Sequence, residues 1–185
     1  MLAYARGRAA AFDELYARHK GGVYRYLLRQ CTQAGDADEL FQDVWMKVIR
    51  ARERYEVSAK FTTWLYTIAR NRLVDHWRAK AGWNFESLDA EGDVDTQLAV
   101  AKARASHDEP DARLAARQLG EQLHAALATL PGAQRDAFLL QQEGEFSLAE
   151  IAQLTGVGIE TVKSRLRYAV TRLRGELAPL HESVQ

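Results

Sequence analysis

Apolar residues recur at intervals of three and four positions over most of the chain, the period that lines up one stripe along an α-helix. Phe12, Leu15, Tyr16, Val23, Leu27 and Cys31 form one such stripe and predict a first helix that stops before Gln33-Ala34-Gly35. Asp36, with Glu39 three positions on, has the form of a capping box. It predicts the start of a second helix that turns Phe41, Val44, Trp45, Val48 and Ile49 inward. A third helix is expected from about Thr62. Its core side would carry Phe61, Leu65, Ile68, Ala69 and Leu73, and the opposite arc Thr67, Arg70, Asn71, Val74 and Arg78, with Tyr66 and Trp77 at one edge. From Gly82 to about Ala112 the period fades into Asn, Ser, Asp, Glu, Gly and Pro, a composition too polar to order itself by burial. A weaker stripe of Leu119, Leu123, Ala126, Leu127 and Leu130 follows, and Pro131-Gly132 breaks it.

Phe146 to Ala152 then contains a second capping box, Ser147 to Glu150, opening a short helix that would bury Leu148, Ile151, Ala152 and Leu154. Gly156-Val157-Gly158 supplies a tight turn. Beyond it Ile159, Val162, Leu166, Val170 and Leu173 fall on one side, while Thr161, Ser164, Arg165, Tyr168 and Arg172 point the other way. Cap, turn and core spacing agree on a helix-turn-helix whose outer face is free to enter a major groove. Ser164 can reach bases or phosphate there, and Lys163 and Arg167 on the flanks can pair with guanine or phosphate. The bland alternative, a helical bundle whose basic face is only solvated, explains the charge but not the coincidence of cap, turn and spacing.

The fold class is therefore all-α, with two small helical domains. The expected boundaries are 1–82 for the first domain, 83–111 for a flexible acidic linker and 112–185 for the helix-turn-helix domain. With 185 residues in all, each domain lies near the lower size limit for an independent core.

The net charge of zero hides a segregation that changes the picture. Residues 1 to 84 carry 15 Lys and Arg against 9 Asp and Glu, residues 85 to 128 carry 4 against 9, and residues 129 to 185 carry 6 against 7. Within that last stretch, Thr161 to Gly175 holds Lys163, Arg165, Arg167, Arg172 and Arg174 with no acid among them. Binding follows the local field rather than the sum. The first domain is also rich in aromatics, among them Tyr24, Tyr26, Trp45, Tyr55, Trp64, Tyr66 and Trp77. Arg54, Lys60, Arg70, Arg72, Arg78 and Lys80 surround its third helix. Aromatic faces amid basic residues suit single-stranded nucleic acid, although core packing is the better reading for any one ring; Trp45 and Trp64 are expected inside or at a protein interface, and for Tyr66 the two readings weigh about equally.

Cys31 is the only cysteine and reads as a small buried hydrophobe, leaving no disulfide and no cysteine-based zinc site. The five histidines show no ligand spacing, so no metal and no cofactor is expected. No apolar run is long enough to span a bilayer, and the first residues lack a secretory h-region, so the expected location is the cytoplasm without membrane insertion.

Three stretches resemble the sigma-70 superfamily of bacterial RNA polymerase sigma factors, and in particular its extracytoplasmic-function (ECF) branch. Phe12-Asp13-Glu14-Leu15-Tyr16 with Ala37 to Trp45 resembles the polymerase-binding part of sigma region 2. Phe61 to Asn71, with Asp75 and Arg78 after it, resembles the part that melts and reads the minus-10 element. Leu130-Pro131, Gln134-Arg135, Phe138, Glu150-Ile151-Ala152 and Thr161 to Leu166 resemble sigma region 4, which reads the minus-35 element. Glu160 departs from the family, which commonly has glycine there.

The resemblance implies docking on the clamp helices of core RNA polymerase through Asp38, Glu39, Gln42, Asp43 and Trp45. It implies minus-10 contacts from Lys60, Tyr66, Arg70, Asn71 and Arg78, made with the melted single strand. It implies minus-35 contacts with duplex promoter DNA from Thr161, Lys163, Ser164, Arg165, Arg167 and Tyr168. The acidic linker would run through the polymerase where nucleic acid later passes, and an anti-sigma factor is the expected regulator. The alternative is a stand-alone helix-turn-helix regulator binding duplex DNA as a dimer, but the first domain offers no effector pocket or dimer helix. An enzyme is not expected, since paired carboxylates, a phosphate-cradling glycine loop and metal ligands are all missing.

Overall fold

The computed structural model describes residues 1–81 and 110–182. The expected acidic linker lies almost wholly outside the described residues. Among the described residues the secondary structure is helical throughout. The helices are α1 (Leu2–Ala5), α2 (Ala10–Leu28), α3 (Ala34–Arg50), α4 (Phe61–Ala81), α5 (Pro110–Ala128), α6 (Gly132–Gly144), α7 (Leu148–Thr155) and α8 (Ile159–Glu182), with a single 3₁₀ turn at Arg52–Arg54.

In the first half α2, α3 and α4 pack on one another, and in the second α6 and α8 pack together with α5 and α7 against them. Val23, Leu27, Leu40, Val44, Val48, Leu65 and Leu73 fill the first core; Leu127, Leu139, Leu140, Ile151, Val162 and Leu173 fill the second. Each such side chain contributes about 1.5–3 kcal/mol by leaving water. The two cores are continuous, because α2 lies along α6 and α4 touches α7.

Several expectations need correction. The second helix opens at Ala34 behind Gln33, so Asp36 is not its N-cap. Its carboxylate instead accepts from Lys80 at the far end of α4 and lies 3.5 Å from His76. It still favours the positive end of the α3 dipole from inside the first turn. Cys31 is buried as expected, but in the turn after α2 rather than on the helix. Ile49, Leu119 and Ile159 sit on the predicted stripes yet are exposed. Each lies toward the end of a stripe, in the last turn of α3, one turn before Leu123 on α5, and at the first residue of α8, where the packed cover has stopped. Ala37, Leu40 and Ala169 fill core positions that the stripes passed over.

Candidate nucleic-acid interface

The helix-turn-helix is built by local chemistry. Ser147 takes an extended backbone, its hydroxyl accepts the Glu150 N–H at 3.3 Å, and the Glu150 carboxylate accepts the Ser147 N–H at 2.9 Å. The predicted capping box is thus present in full. Gly156 closes α7 in the left-handed conformation, φ 74°, donating its N–H to the Ala152 carbonyl at 2.9 Å. A side chain there would be strained, which is why glycine makes this turn. Val162, Leu166, Ala169 and Leu173 anchor α8 from beneath.

What the turn presents is polar and basic. Thr161, Lys163, Arg167, Tyr168 and Arg172 are exposed, and Ser164 and Arg165 are half-buried. Lys163 pairs with Glu160 at 2.7 Å, so the unusual acid restrains one of the candidate DNA contacts. The Arg167 guanidinium lies 5.1 Å from the centre of the Tyr168 ring, a cation–π contact that keeps both on the outer face.

On α3, Glu39 and Gln42 are exposed, and Asp38 is exposed while accepting the Tyr24 hydroxyl at 2.9 Å. Asp43 pairs with Arg72 of α4 and so ties two helices together. Trp45 is buried, edge-on to Phe12, Tyr16 and Phe41. It therefore supports the α3 surface from behind instead of forming part of it.

The α4 candidates divide. Asn71 and Arg78 are exposed. Tyr66, expected at the edge of the outer arc, is 3% exposed, because α6 and the loop after it cover that edge. Its hydroxyl donates to the Glu143 carbonyl at 2.7 Å and its ring meets Phe146 edge-on at 5.1 Å. Arg70 donates to Asp136 at 2.8 Å, and Lys60 pairs with Glu150 at 2.9 Å.

Asp136 itself is 1% exposed and also accepts from Tyr26 at 2.7 Å and Gln30 at 3.2 Å. Burial works against the Arg70 charge, but the Asp136 carboxylate more than offsets it and raises the guanidinium pKa above its ordinary value. Burial, with the Asp136 charge next, drives the Tyr26 phenol pKa well up. Sequence reasoning missed this network. The available signal was an acid on α6 sharing its face with Ala133, Ala137 and Leu140, a place where charge survives only with partners.

Residues 15–82 match the family model for sigma-70 region 2, and residues 120–173 match that for sigma-70 region 4. The chain is 32% identical to the ECF RNA polymerase sigma factor RpoE of Cereibacter sphaeroides, over 91% of this chain and 87% of that one. This chain belongs to the ECF sigma factors.

The RNA polymerase sigma factor CarQ of Myxococcus xanthus is 29% identical to this sigma factor over 100% of its length and 99% of the relative's. The fold of both regions resembles the sigma factor RpoE from Bartonella quintana, solved in complex with the anti-sigma factor NepR. The TM-score is 0.70 with 25% identity, covering 91% of this chain and 97% of that one. As a sigma factor, the protein directs promoter-specific transcription initiation with RNA polymerase, and the stand-alone regulator reading has no support. Among the described residues no helix is long and apolar enough to cross a membrane.

Proposed function

We propose that the sigma factor divides promoter reading between its two regions. Region 4 holds closed minus-35 duplex through Thr161, Lys163, Ser164, Arg165, Arg167 and Tyr168. Region 2 captures melted minus-10 strand through Lys60, Tyr66, Arg70, Asn71 and Arg78. Asp38, Glu39 and Gln42, with Asp43 at their edge, dock on the polymerase clamp helices. The protein performs no catalysis itself and works in the cytoplasm, where polymerase and chromosome are. An anti-sigma factor is its expected regulator, as for the Bartonella quintana neighbour. The observation that carries the reading is the exposed basic face of α8 behind a complete cap and a left-handed glycine turn.

Permanganate footprinting of holoenzyme on duplex and pre-melted templates tests the division. Asn71→Ala is expected to form closed complexes but to open them poorly, and a mismatch across the minus-10 region should restore part of the loss. Normal melting by that variant on duplex would refute the assignment of region 2.

A further inference from the structure

The basic face of α8 has an acid at its head. From Ile159 to Gly175 the only carboxylate is that of Glu160, set among Lys163, Arg165, Arg167, Arg172 and Arg174. Lys163, Ser164 and Arg167 follow Glu160 by three, four and seven positions, which sets all four residues along one stripe of the helix. That stripe lies directly opposite Val162, Leu166, Ala169 and Leu173, the side chains that α8 buries. The most outward line of the helix therefore begins with Glu160 and continues through the candidate base contacts. The Glu160 side chain is 85% exposed, and its carboxylate accepts from the Lys163 ammonium at 2.7 Å.

An acid in this place constrains what DNA the helix can meet. Phosphates repel it, and an ionised carboxylate can only accept hydrogen bonds. In the major groove guanine presents acceptors at O6 and N7, and thymine an acceptor at O4 beside its methyl group. Cytosine presents the N4 amino group, a donor with no acceptor on the same base edge. Across the base pair, the guanine O6 and N7 are what an ammonium takes. Carboxylate and ammonium, side by side at hydrogen-bond distance, thus match the donor and acceptors that stand side by side on a C·G pair. An A·T pair is the second choice, because the N7 lone pair beside its amino group repels the carboxylate and its thymine offers the ammonium one acceptor instead of two. The reversed pairs, G·C and T·A, set each charge against the wrong partner. Lys163 also brings a compensating charge with the acid into an anionic groove.

We propose that Glu160 is a specificity-determining residue of the minus-35 contact, its carboxylate accepting from the N4 amino group of a cytosine while Lys163, held beside it, donates to the paired guanine. This rests on the reading that α8 enters the major groove of minus-35 duplex. An unaccompanied lysine takes phosphate, or guanine on either strand; the ion pair binds well only where both of its halves are matched.

The test uses holoenzyme reconstituted with full-length wild type, Glu160→Ala or Glu160→Gln. Closed complexes are selected from duplex promoters randomised across the minus-35 element, and sequencing of the bound DNA reads base preference position by position. Wild type is expected to favour cytosine at one position, about tenfold over the reversed G·C pair. Glu160→Ala should bind C·G and G·C alike there, because lysine reaches guanine on either strand. Glu160→Gln should move the preference toward adenine, whose N6 and N7 a glutamine amide matches, with the other positions retained. Base preferences unchanged in both variants overturn the proposal. That holds if binding falls on every sequence, as for an acid that only stabilises the start of α8, and if it rises on every sequence with a steeper salt dependence, as for one that only keeps Lys163 from phosphate. Arg167→Ala, measured alongside, keeps the underlying reading separate. Unchanged affinity and preference in that variant would remove α8 from the groove altogether. Lost affinity there, with no change of preference in the Glu160 variants, leaves α8 in the groove and takes Glu160 out of base reading.

Discussion

Replacing Ser147 with alanine isolates the capping chemistry on which the helix-turn-helix depends. Helix α7 has 8 residues and only Ile151 fully buried, so intrinsic propensity cannot hold it. The substitution removes the acceptor of the Glu150 N–H and a hydroxyl that donates to the Glu150 carboxylate at 2.8 Å. Losing a cap of this kind costs about 1 kcal/mol, which lowers Tm by roughly 2–4 °C in a chain of this size. Glu150→Gln is the control. Glutamine can still accept the Ser147 N–H, so only the ion pair to Lys60 is lost, and Lys60 is 75% exposed. An exposed pair contributes about 0–1 kcal/mol. Thermal and urea unfolding followed by circular dichroism should therefore rank Ser147→Ala as the more damaging change. Equal or greater loss in Glu150→Gln would mean that charge across the regions, and not the cap, holds α7.

The same pair responds to acid. The hydrogen bond from Lys60, followed by those from the Ser147 backbone and hydroxyl, holds the Glu150 carboxyl down to about 2. A depressed carboxyl contributes stability that is present in full above its unfolded value and lost as pH falls through the folded one. The stability difference between wild type and Glu150→Gln should accordingly shrink below about pH 4.5 and vanish near pH 2.

Cys31 is buried and its thiol is pushed up to about 12, by burial first and the Asp36 carboxylate second, so thiol reagents near pH 8 should label it only in denaturant; rapid labelling of folded protein would contradict its place in the core. Charge reversal at Asp38 and Glu39 should weaken competition for core polymerase with Tm nearly unchanged. Asp43→Lys should lower Tm as well, because it also places like charge against Arg72. Equal melting of the two variants would show that the Asp43–Arg72 pair holds nothing. Alanine at Lys163 or Arg167 should weaken duplex binding by holoenzyme by about 1–3 kcal/mol if the side chain pairs with a base edge, with promoter melting nearly normal in the complexes that form. Lost melting with intact duplex binding would refute the assignment of α8.

What sequence alone determined was whatever depends on neighbours along the chain. The stripes on α2, α3, α4 and α8, the box at Ser147 and Glu150 and the turn at Gly156 are short-range features, and each was legible from residue type and spacing. The basic face of α8 followed too, because the apolar positions of the same helix leave it no other side. The start of α3 did not follow, since the capping pattern at Asp36 competed with a partner from α4 far away in sequence. Neither did the exposure of Ile49, Leu119 and Ile159, which depends on how far the neighbouring helices extend.

Tertiary structure alone decided the fate of Tyr66 and Arg70. Their positions on α4 direct them outward from the region 2 core, and only the approach of α6 turns that outer edge into an interface. Asp136 shows the reason most clearly. A carboxylate is buried at a cost that only several donors together can offset, and its donors Tyr26 on α2, Gln30 in the turn after it and Arg70 on α4 all come from the other region. No periodicity within α6 could name them, because the pairing exists only once α2, α4 and α6 have come together.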